Sequence, residues 1–142
     1  MYTPQVVLEG SDWRNWSRQR EPAPASPASF GLSVLATVGS DVAVTWHSAE
    51  TVDNDVQVFA ALTENGLQSL PAAGENRGTR LEHAHVVRAF ATPVPFAQGS
   101  TRLTLPADLV RRNAQLLLVA ESRKSGVPVH AVVLAMAGCA AP

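Results

Sequence analysis

Leu32-Ser33-Val34-Leu35-Ala36-Thr37-Val38-Gly39-Ser40-Asp41-Val42-Ala43-Val44-Thr45-Trp46-His47 is the stretch that decides the fold. Leu32, Val34, Ala36 and Val38 recur at every second position. Gly39-Ser40-Asp41 then supplies turn residues, and Val42, Val44 and Trp46 resume the alternation against Ala43, Thr45 and His47. A period of two places one set of side chains on a single strand face. The segment therefore reads as a β-hairpin whose apolar set, Trp46 included, faces a core.

The same grammar continues toward the C-terminus. Val56 to Leu62 reads as a third strand, closed by the turn Glu64-Asn65-Gly66, and Leu67 to Leu70 as a short return. Arg80 to Phe90, Ser100 to Leu105, Leu116 to Ala120 and Val127 to Leu134 complete the strands. Pro106-Ala107-Asp108 followed by Leu109-Val110-Arg111-Arg112 predicts one helical turn between two of them. Short strands at such spacing predict a mostly β domain, an antiparallel two-sheet sandwich over residues 30–142 that folds without a cofactor.

Upstream of the hairpin the composition changes. Glu21-Pro22-Ala23-Pro24-Ala25-Ser26-Pro27-Ala28-Ser29 carries three closely spaced prolines, which favour extended backbone, so residues 21–29 read as a linker. Residues 1–20 hold a short β-branched run, Gln5 to Leu8. They also hold Ser11-Asp12, which could cap a brief helix placing Trp13 and Trp16 on one face.

The 142 residues suit one domain of ordinary size. Eleven basic and twelve acidic side chains nearly cancel, which removes any general attraction to nucleic acid or acidic lipid. The longest apolar run, Val127 to Ala137, is interrupted by His130 and far short of the ~20 residues that span a bilayer, and no signal peptide is visible in the first residues. Cys139 is the single cysteine, so an internal disulfide and a Cys-x-x-Cys pair are both excluded within this sequence.

Tyr2-Thr3-Pro4-Gln5-Val6-Val7 with Glu9-Gly10, and Gly74-Glu75-Asn76-Arg77-Gly78 with Leu81, His83 and Val86-Val87-Arg88, resemble two motifs of a family of bacterial secreted proteins of unknown function. In that family a thioredoxin-like half precedes a C-terminal β-sandwich packed on it. The resemblance runs from Tyr2 to about Met136. It implies that residues 1–20 are a remnant of the thioredoxin-like half, that residues 30–142 are the sandwich, and that the family is periplasmic or secreted. The family's Cys-x-x-Cys site has no counterpart here, so the resemblance implies a fold rather than a redox activity.

Two constellations could carry chemistry. If His83 and His85 lie on one strand, they share a face and could bind copper or zinc, with His47 or His130 as a third ligand; a half-exposed strand is the stronger explanation, since no cysteine or carboxylate ligand is paired with them. Glu75-Asn76-Arg77-Gly78 reads as a tight polar loop, which turn chemistry alone explains; the sharper reading is a binding loop in which Glu75 pairs with Arg88. Arg80, Glu82 and Arg88 alternate and read as one solvated strand face. No Gly-x-Ser-x-Gly elbow and no phosphate loop occurs.

These observations favour a non-enzymatic sandwich module that contacts a protein partner or a thioredoxin-like domain. The alternatives are a metal-binding module through His83 and His85, and a fragment of a thiol-disulfide oxidoreductase-like protein. Val6, Val7 and Leu8 are costly to leave in water. The N-terminal strand is therefore expected to add to an edge of the sandwich or to pair with another chain as a homo-oligomer.

Overall fold

The computed structural model describes residues 6–8, 11–15, 18, 28 and 30–138. The 21–29 linker lies almost wholly outside them, as do Trp16 and Cys139. The described residues form strands β1 (Val7–Leu8), β2 (Ser11–Asp12), β3 (Ser33–Val38), β4 (Asp41–His47), β5 (Val56–Glu64), β6 (Leu67–Ser69), β7 (Leu81–His83), β8 (Val86–Pro95), β9 (Ser100–Thr104), β10 (Ala114–Ser122) and β11 (Pro128–Ala135). One sheet has the order β11-β10-β5-β8 and the other β3-β4-β9. The pairs β1-β2 and β6-β7 are small separate sheets. Every pairing is antiparallel, and the architecture is the two-sheet sandwich that the alternation predicts. No helix among the described residues is long and apolar enough to cross a membrane.

The expected hairpin forms, with Val34 opposite Trp46, Ala36 opposite Val44 and Val38 opposite Val42. Val42, Val44 and Trp46 are buried and meet Val56, Val58, Ala60 and Leu62 of β5 and Ala114, Leu116, Leu118 and Ala120 of β10. Phe30 and Phe96 close the core edge to face, with ring centroids 5.6 Å apart. The Trp46 indole N–H donates to the Phe96 carbonyl at 2.9 Å, which satisfies the polar atom of a buried aromatic.

Two local expectations are corrected. Ser11-Asp12 does not cap a helix. It pairs with Val7-Leu8, and the Trp13 N–H donates to the Val6 carbonyl at 2.8 Å. Among the described residues the N-terminal strand pairs within this hairpin and not with an edge of the sandwich. Arg80 to Phe90 is not one strand. It breaks at Ala84-His85, where His85 adopts φ 53° and its N–H donates to the Asn65 side-chain oxygen at 2.7 Å. The expected single helical turn between β9 and β10 forms at its C-terminal end, as a 3-10 turn over Arg111–Asn113.

The loops that cross between the sheets are pinned by carboxylates. Glu50 accepts from the Ser48 hydroxyl at 2.8 Å and from the Gly31 N–H at 3.1 Å, tying the β4–β5 loop to the entry of β3. These bonds, the Ser48 hydroxyl foremost, hold the Glu50 carboxyl below its ordinary value. A carboxyl lowered on folding adds stability above its unfolded value, and that stability is lost as pH falls through the folded one. Glu50→Gln should therefore lower Tm slightly at neutral pH and flatten its acid decline. A series of melts across the acid range checks this, and an acid limb identical to that of the wild type would contradict it.

Candidate docking face

Each strand of the four-stranded sheet has one face in the core and one face outward. An antiparallel sheet covered on one side normally alternates apolar in and polar out. Here most of the outward set is itself apolar. The register aligns Val133, Leu117, Ala61 and Phe90 in one row across β11, β10, β5 and β8. The neighbouring row holds Ala131, Val119 and Phe59, and the next holds Ala135, Gln115, Thr63 and Val87. Phe59 and Phe90 bring their rings to 5.5 Å. Phe90, Val133 and Val87 remain 55%, 56% and 57% exposed, whereas Ala61 and Thr63 on β5 between them are buried, at 6% and 4%. Gln57 and Glu121, joined by a 2.7 Å hydrogen bond, border the patch at one end, and Glu121 is the sole ionisable group in these rows.

Strands spaced about 4.8 Å and rows spaced about 6.8 Å give this face an area on the order of 500 Å². That is the size of the largest apolar patches found on single domains, which often mark an interaction site. The underlying sequence signal is two continuous apolar runs, Val58-Phe59-Ala60-Ala61-Leu62 and Leu116-Leu117-Leu118-Val119-Ala120. A run without alternation belongs to a strand covered on both sides. The period-two reading located these strands and missed what their odd positions imply.

The sequence-derived candidates are dispersed. Glu75, Asn76 and Arg77 lie exposed in the turn between β6 and β7, where the Arg77 N–H donates to the Gly74 carbonyl at 3.1 Å. Arg88 is far from solvated, with only 15% of its side chain exposed. It pairs with the buried Glu64 and, at 2.6 Å, with Asp108, so its guanidinium is committed to those two carboxylates. Glu64 also accepts the Val110 N–H at 3.0 Å, which makes the trio a clamp on the β9–β10 crossing.

His83 lies on β7 with its Nε2 2.7 Å from the Ser69 hydroxyl. His85 sits in the left-handed turn beyond the strand end, so the shared-face geometry expected of a continuous strand does not apply to the pair. His130 is on β11 and stacks on Phe30 at 5.6 Å, and His47 is at the exposed end of β4. Among the described residues no group of three or more His, Cys, Asp or Glu side chains is arranged to hold a metal ion.

Fold and surface together define a β-sandwich domain with an open apolar sheet face. The chain belongs to the family described as "Protein of unknown function (DUF1223)", whose model matches residues 1–120. No curated protein and no solved structure matches it. The match includes β5, β8 and most of β10, and therefore the greater part of the open face.

Proposed function

We propose that this chain is a non-enzymatic β-sandwich module that docks a protein partner, a thioredoxin-like domain foremost, on the outer face of its four-stranded sheet. The observation that carries the reading is the uncharged row Val133–Leu117–Ala61–Phe90, open at both ends of the sheet. Apolar surface of this extent in water is unfavourable at about 25 cal/mol per Å², and covering it drives association. The absence of charge from the row favours an apolar helix or sheet surface over a charged ligand. The thioredoxin-like choice follows the motif resemblance, in which a sandwich of this kind packs on such a half.

The test is calorimetric titration of the chain with a thioredoxin-like domain excised from a longer relative. Saturable binding is expected with a negative heat-capacity change, the mark of apolar burial. Phe90→Lys should weaken it at least tenfold, because a buried unpaired ammonium carries a desolvation cost. Absence of binding, or binding indifferent to Phe90→Lys, would overturn the assignment.

A further inference from the structure

We infer that, when no other partner covers it, the outer sheet face closes on a second copy of this chain in an isologous dimer. The inference rests on the proposed docking role of this face and adds a specific occupant. Three observations carry it.

The first is shape. The row reads Val133, Leu117, Ala61, Phe90 from β11 to β8. A two-fold axis in the interface and parallel to the strands lays β8 of one copy over β11 of the other. The row then meets its own reverse: Phe90 over Val133, Ala61 over Leu117, Leu117 over Ala61, Val133 over Phe90. Leu117 faces Ala61 at the centre, where Ala61 is already covered by its own neighbours, and the two bulky exposed side chains at the sheet edges, Phe90 and Val133, face each other. Facing sheets pack about 10 Å apart by this kind of interdigitation, with their strands about 30° from parallel. An isologous contact requires such self-complementarity.

The second is charge. No ionisable side chain stands in the row, and Glu121 lies at the border, where it accepts from Gln57 at 2.7 Å. Two identical faces therefore meet without opposing like charges at their centre.

The third is area. Two faces on the order of 500 Å² each bury roughly 1,000 Å² in total, the lower limit of a specific interface. The contact is thus weak and concentration-dependent, and a partner with a larger complementary surface displaces it.

Sedimentation equilibrium of the full chain over a range from micromolar to millimolar tests the inference. The mean mass should rise toward twice the monomer mass with concentration. Phe90→Lys and Val133→Glu, each at a position more than half exposed, should each weaken self-association at least tenfold while keeping wild-type far-UV spectra. An equimolar mixture of the two variants should recover dimer, because the proposed geometry sets the introduced ammonium of one copy against the introduced carboxylate of the other. A wild-type chain that stays monomeric up to about 1 mM overturns the dimer. So does a mixture that fails to recover, since it excludes the β8-over-β11 arrangement. Calorimetric binding of the thioredoxin-like domain by a monomeric chain would refute the dimer alone and leave the docking role standing.

Discussion

Arg88→Ala is expected to lower the unfolding free energy by about 3–5 kcal/mol, the usual result of removing one partner from a buried ion pair. Glu64 is 1% exposed and faces inward at the end of β5. Its carboxylate is neutralised by Arg88, and its other oxygen accepts the Val110 N–H. Without Arg88 a charge remains in the interior with one backbone donor, and the β9–β10 crossing loses its anchor. Asp108 is 78% exposed, so Asp108→Asn should cost no more than about 1 kcal/mol. Replacing both buried partners, Glu64→Leu with Arg88→Met, should recover much of the loss, because apolar isosteres remove the desolvation cost together with the attraction. Urea denaturation measures all three. An Arg88→Ala cost under about 1 kcal/mol would show that the pair is not buried as described.

Trp46→Ala should cost a similar amount, about 3–5 kcal/mol. Trp46 is 4% exposed and stands opposite Val34 in the deciding hairpin. It connects the sheets in two ways. Its ring fills the core beside Phe30 and Phe96, and its indole N–H holds the Phe96 carbonyl at the point where β8 crosses to β9. Trp46→Phe keeps most of the apolar area and loses the donor, so about 1–2 kcal/mol is expected for it. The difference between the two variants separates packing from the hydrogen bond. Equal costs would mean that the bond carries the whole effect.

The sandwich was legible because alternation in residues 32–47 survives intact into the structure, with every inward residue buried or half-buried. The ion clamp was not legible, for a physical reason. Period-two reasoning from Arg80 to Arg88 assumes an unbroken strand. The chain instead turns at His85, a left-handed conformation uncommon outside glycine. A register shift against Leu62 and Thr63 then changes the face on which later residues lie. Arg88 therefore leaves the solvated face and reaches Glu64. The same break separates His83 from His85. At the N-terminus, Ser11-Asp12 resembles a helix cap locally, yet pairing with Val7-Leu8 satisfies the backbone of both segments. The apolar outer face was written in the chain as unbroken apolar runs in β5 and β10, visible only when the odd positions are asked what covers them.

The central claim concerns that face, and methyl-resolved NMR tests it most directly. Leu116 and Leu118 point into the core, whereas Leu117 and Val119 point outward between the same neighbours, so the sequence carries its own control. Adding a thioredoxin-like domain should shift or broaden the methyl signals of Leu117, Val119 and Val133. Those of Leu116 and Leu118 should change far less. Perturbation centred on the Glu75–Gly78 loop or on the three-stranded sheet, with Leu117 and Val133 unmoved, would contradict the account.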